Sequence, residues 1–262
     1  MQELVKLRKA QARIKRKFTF MLSIIAMLVL VTATLAWFTL SNFASVNELN
    51  LKISTAPQLY LDIQNQGTDV SAWKKTLTND MINSYLTSVN APKLNEQLLD
   101  PVTTAKGITM TNRSGVTRNA NEDTYLEFKV WFIATADMWV HLSGQTVTVE
   151  DHEATTKVTT KETGAKADII KAIRLSYEDS GSAAIWEPNK GTAVAGQTTF
   201  DVSENFSNDT RLFHLDKLTP KQITIRIWLE GEDPECDNDV EDAELTIQML
   251  FGGTDDNNSS FE

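Results

Sequence analysis

Few residues in this chain have types and spacing able to do chemistry. Histidine occurs three times, at His141, His152 and His214, and cysteine once, at Cys236. His152-Glu153 opens like a zinc-protease motif, but Thr156 stands where the second histidine would bind. No GxSxG turn and no glycine-rich phosphate loop is present, and Cys236 has no histidine near it in sequence. His141 and His214 fall on the polar faces of predicted strands, where a solvated imidazole is expected. The chain is therefore read as having no enzymatic activity. An exported glycan-acting enzyme stays as an alternative, because a catalytic carboxylate pair is assembled by the fold and leaves no local spacing.

The densest chemical signal is the acidic run from Glu230 to Asp239. Asp233, Glu235, Asp237 and Asp239 are candidate calcium ligands, since a hard cation takes oxygen donors. No glycine occupies the sixth position after Asp233, so the run is not an EF-hand loop; the other reading is a plain acidic strand connection. Cys236 within it is read as passive, with a free thiol or an intermolecular contact as alternatives. Trp131 and Trp228 lie opposite the aliphatic faces of their strands. They form either a platform for a sugar ring or a protein partner, or the second buried face of a central strand.

Charge and hydropathy indicate where these groups act. Residues 18–38 form an apolar run of 21 residues without a charge, preceded by Lys6, Arg8, Lys9, Arg13, Lys15, Arg16 and Lys17. About 20 apolar residues cross a bilayer as a helix, and basic flanks stay on the cytoplasmic side. Residues 1–17 are thus a cytoplasmic segment, 18–38 a transmembrane or signal helix, and everything after Phe38 lies outside. Thr34-Leu35-Ala36 offers a signal-cleavage site near Ala36, while the length of the run suits a retained anchor; both readings stand. The first 17 residues hold seven of the 25 basic residues and one of the 35 acidic ones, so the remainder carries 18 against 34, a net charge of −16. Such a balance argues against nucleic acid as a partner. With a single cysteine no intramolecular disulfide forms, and a hydrophobic core must stabilise the exported part.

That part reads mainly as β. Leu126, Phe128, Val130 and Phe132 alternate with polar or aromatic residues, as do Ile223, Ile225, Ile227 and Leu229, and then Leu245, Ile247, Met249 and Phe251. Weaker strands are predicted at 49–54, 59–64, 138–142, 145–150, 169–177, 198–202 and 212–215. Met81, Ile82, Tyr85, Leu86 and Val89 recur at spacings of three and four, predicting a helix over 79–89 capped by Thr78 or Asn79. Residues 151–166, 179–183, 189–197 and 201–210 read as polar loops. The expected fold is an antiparallel β-sandwich or jelly roll with a short helical insertion: 39–57 an extended N-terminal strand or stalk, 58–252 the extracellular domain, and 253–262 a polar tail.

Ala36-Trp37-Phe38-Thr39, followed by Ser41-Asn42 and the strand at 49–54, resembles the start of the TasA and camelysin family of Gram-positive bacteria. It departs in its long basic leader and in lacking the glycine that commonly precedes that family's early strand. Residues 225–236 are similar to a motif of surface proteins from related bacteria. The resemblance implies a surface or biofilm-matrix fibre subunit that self-assembles by donating its N-terminal strand to the next copy. The donor candidates are Phe38, Phe43, Val46, Leu49, Leu51 and Ile53. If the helix stays uncleaved, the alternative is a single-pass membrane protein displaying a β domain for adhesion to a surface protein or glycan.

Overall fold

The structure, a computed structural model, describes Met21 and residues 43–54, 58–122, 124–149 and 152–261. The leader, the cleavage site, Phe38 and, apart from Met21, the apolar run at 18–38 lie outside the described residues. Among those described, no helix is long and apolar enough to cross a membrane.

In chain order the elements are β1 (Ala44–Ile53), β2 (Leu59–Asp62), β3 (Thr76–Leu77), α1 (Asn79–Ser88), β4 (Leu98–Leu99), β5 (Leu126–Ala134) and β6 (Met138–Leu142). They continue with β7 (Val147–Val149), β8 (His152–Ala154), β9 (Lys157–Thr159), α2 (Ile169–Ala172), β10 (Ile173–Asp179) and β11 (Ser182–Trp186). The last are β12 (Thr199–Phe200), β13 (Phe213–Leu215), β14 (Lys221–Leu229) and β15 (Ala243–Thr254). A seven-stranded sheet runs β13-β6-β15-β1-β3, with β4 also on β1 and β9 also on β15. A six-stranded sheet runs β12-β11-β10-β14-β5-β2, and β7 pairs with β8 alone.

Alternation decides what each strand buries. Leu126, Phe128, Val130 and Phe132 of β5, Ile223, Ile225, Ile227 and Leu229 of β14, and Leu245, Ile247, Met249 and Phe251 of β15 all lie in one core. Both sheets contribute to it: Phe132 of the six-stranded sheet meets Phe213 and Phe251 of the seven-stranded one at ring-centroid distances of 5.0 and 5.1 Å. Offset and edge contacts of this kind add to simple area burial. The predicted helix is α1, with Thr78 at its N-cap position and Ile82 and Leu86 buried, whereas Val89 follows the last turn and is exposed.

Several expectations are corrected. The sheets are mixed, not antiparallel throughout, since β1 runs parallel to β15 and β11 to β12. The threonine-rich stretch at 151–166, read as a loop, contains β8 and β9; in β9 the β-branched Val158 is buried in the core and Thr159 follows it. Residues 169–172 form the turn of α2 instead of opening β10. The C-terminal residues 255–261 fold back: Asp255 accepts the backbone N–H groups of Asn257 and Ser259, and Phe261 packs against the core.

Candidate assembly site

Strand β1 is the element the sequence singled out as a donor, and its apolar positions need a particular backbone to share one face. Ala44 and Val46 alternate, and so do Leu49, Leu51 and Ile53, but Val46 and Leu49 are three residues apart. A strand of period two would send one set to solvent. The pairing with β15 shifts register between Val46 and Glu48, so Asn47 is the extra residue of a bulge and the two sets face the same way. Val46, Leu49, Leu51 and Ile53 are all buried, while Phe43, just before the strand, is half-buried.

The seat for this strand is assembled from four places. β15 lies along one side from Ala44↔Ala243 to Ile53↔Phe251, and β4 and β3 cover the two ends of the other side. Between β4 and β3, the Asn79 side chain at the start of α1 accepts the Leu49 N–H at 2.6 Å, replacing a missing strand partner. At the strand's beginning, the Asp242 N–H donates to the Phe43 carbonyl at 2.6 Å. The predicted donor residues that are described therefore sit in their own chain's sheet.

The acidic connection after β14 is held differently. Asp233 turns inward to a fully buried Arg174 of β10, 2.6 Å away, and Glu187 approaches the same Nη2 at 2.9 Å. Burial pushes the Asp233 carboxyl up to about 6, against the pull of the guanidinium. Glu235, next to Asp233, takes the Thr192 N–H and hydroxyl, and its carboxyl is lowered to about 2, first by Asp233. Asp237 caps the short turn Asn238–Val240 by accepting the Asp239 N–H. Of the four candidate calcium ligands, Asp233 is taken up by Arg174 and Glu235, Glu235 by Asp233 and Thr192, and Asp237 by its own turn, and among the described residues no cluster of three or more His, Cys, Asp or Glu side chains is placed to hold a metal. Cys236 is buried and its thiol is pushed up to about 12 by that burial.

The tryptophans separate. Trp228 is completely buried and offers no face to a ligand; it packs with Val102, Met110, Tyr125 and Ile185 in a second core on the outer side of the six-stranded sheet. Its indole N–H donates to Glu230, a buried carboxylate that also receives the Gln197 amide and the Glu232 N–H. Trp131 is half-buried. The segment around 100–120 covers this outer face and makes it a core. There Gly107, at φ +69°, lies so close to β10 that an added Cβ would come within 2.8 Å of the Ser176 Cβ.

Arg174 and Glu187 were missed by sequence reasoning, and Glu230 was read only as the start of the acidic run. Arg174 occupies the face of β10 opposite Ile173, Leu175 and Tyr177, where alternation predicts solvent, and its partner Asp233 is 59 residues away. His141 is likewise corrected, since it is buried, not solvated. His214 stays partly exposed beside Asp216. Comparison with family models, with curated proteins and with solved structures finds no match for this chain.

Proposed function

We propose that this chain is an exported structural protein of the bacterial surface or extracellular matrix, a β-sandwich of jelly-roll type whose first strand is its assembly element. The apolar, uncharged run at 18–38 behind a basic leader supports export. What carries the assembly reading is the position of β1: the first described strand after that run fills a groove between β15 and β3 with Val46, Leu49, Leu51 and Ile53. Burying each such side chain contributes roughly 1.5–3 kcal/mol, and about 6–12 kcal/mol for four. Area-based sums of this kind are upper bounds, yet the figure equals much of a domain's whole stability of about 5–15 kcal/mol. The groove is therefore always filled, and a strand of the same sequence from a second copy fills it as well as the chain's own. Exchange would pass the strand from copy to copy and build a fibre.

A second reading has its own support. Because β1 completes the sheet within one chain, an uncleaved protein would display a finished domain on a membrane anchor, suited to adhesion to a surface protein or glycan. The two readings differ in the mature chain's start and place. Intact mass and N-terminal sequence, taken separately from membrane and medium fractions of producing cells, should give a start near Trp37 in the medium. Full-length protein confined to the membrane would overturn the fibre reading and leave the anchored domain.

A further inference from the structure

His141 lies in β6, opposite Gly252 of β15, and is fully buried. Both ring nitrogens meet threonine hydroxyls: Nδ1 is 3.0 Å from Thr210 Oγ1 and Nε2 is 2.7 Å from Thr254 Oγ1. The direction of each bond follows from the neighbours. Thr210 donates its hydroxyl proton to the Ser207 carbonyl and accepts the Ser207 N–H, within the turn Asn208–Thr210. Thr210 Oγ1 can then only accept from the ring, so His141 carries its proton on Nδ1. Nε2 is left as the acceptor for the Thr254 hydroxyl.

The ring thereby joins three pieces of chain: β6, the loop at 203–211, and the end of β15, from which the C-terminal turn departs. Phe206 of the same loop packs tilted against the imidazole, ring centroids 4.9 Å apart, in space that Gly252 leaves open. Among charged groups facing the ring, Arg211 repels a second proton. Thr210, Phe206 and Thr254 are uncharged, and among the described residues Asp209, Asp255 and Asp256 make no hydrogen bond or ion pair to the ring. His214 of neighbouring β13 is turned to Asp216 and Trp139.

We propose that His141 is an acid-sensitive clasp: neutral, it holds the loop at 203–211 and the C-terminal turn at 255–261 to β6, and its protonation releases both. A second ring proton would put two N–H groups against the hydroxyls and force the buried Thr254 hydroxyl proton away from Nε2. Burial, then Arg211, lowers the folded-state pKa from 6.5 to about 4. The clasp is thus intact above the unfolded value of 6.5 and weakens as the pH falls toward 4. From that gap the open form should be about a hundredfold more populated at pH 4 than at pH 7.5.

The test is amide hydrogen exchange on the full chain at both pH values, corrected for intrinsic rates, with ring 15N shifts at neutral pH. The expected result is a proton on Nδ1, titration far below 6.5, and a rise of that size confined to 203–211 and 254–261. The opposite tautomer, titration near 6.5, or unchanged exchange in either segment would overturn it. His141→Asn should remove the acid response while the rest of the exchange pattern stays in place. Should that variant not fold, the ring titration in the unaltered protein decides alone.

Discussion

The start of strand β1 meets the end of the acidic connection after β14, where the Asp242 N–H donates to the Phe43 carbonyl, yet the two are held by opposite kinds of force. β1 is kept by apolar anchors and a hydrogen-bond ladder to β15, both of which any copy of the strand could supply. The acidic connection is kept by a buried cation that bridges two carboxylates from different loops. Removing one partner of a buried ion pair is costly, because the charge left behind stays desolvated without compensation. The difference teaches which part of such a domain is free to be exchanged and which must stay as a fixed frame.

Breaking the fixed side should have the larger effect. Arg174→Met leaves the buried Asp233 and the partly exposed Glu187 without their cation and should cost about 4 kcal/mol in a urea unfolding experiment; a loss below about 1 kcal/mol would show that water reaches Asp233. On the exchangeable side, Leu51→Ala removes one anchor and should cost about 3 kcal/mol. If strands are donated, the same substitution should also reduce multimers, whereas Arg174→Met should act through stability alone. Gly107→Ala sharpens the contrast on the outer face: a Cβ in a left-handed backbone against Ser176 should cost about 2 kcal/mol, read from the same unfolding curves. The smallest effect belongs to Leu218, an exposed leucine at φ +54°; Leu218→Gly relieves the backbone and should raise stability by up to about 1 kcal/mol. A loss there would mean that the leucine side chain is packed.

Much of the fold was readable because it rests on local periodicity. β5, β14 and β15 announce themselves by alternation, and α1 by spacings of three and four that place Ile82 and Leu86 inward. What was hidden depends on distant chain. Nothing near Asn47 marks a bulge, since only pairing with β15, some 200 residues later, requires Val46 and Leu49 on one side. Arg174 sits on a strand face that alternation assigns to solvent and is buried under the segment around 187–197, whereas the burial of Trp228 was one of the two readings open from the sequence and is supplied by the segment around 100–120. The acidic run was visible as a cluster of charge, but its inward turn onto Arg174 was not, because a carboxylate's partner across a sheet leaves no spacing to read. His141 was misread for the same reason, its threonine partners lying 69 and 113 residues away.

Strand donation is tested most directly by trapping β1 in its seat. Asn50 and Gln248 are register partners on the parallel β1 and β15, both half-buried. Neighbouring strands lie about 4.8 Å apart, within disulfide reach. With Cys236→Ala to remove the native thiol, Asn50→Cys and Gln248→Cys should crosslink in protein recovered from the medium. Donation from copy to copy predicts a ladder of covalent multimers on a non-reducing gel that collapses with reductant. A product containing only crosslinked single chains would contradict it and leave β1 as a permanent strand of its own domain.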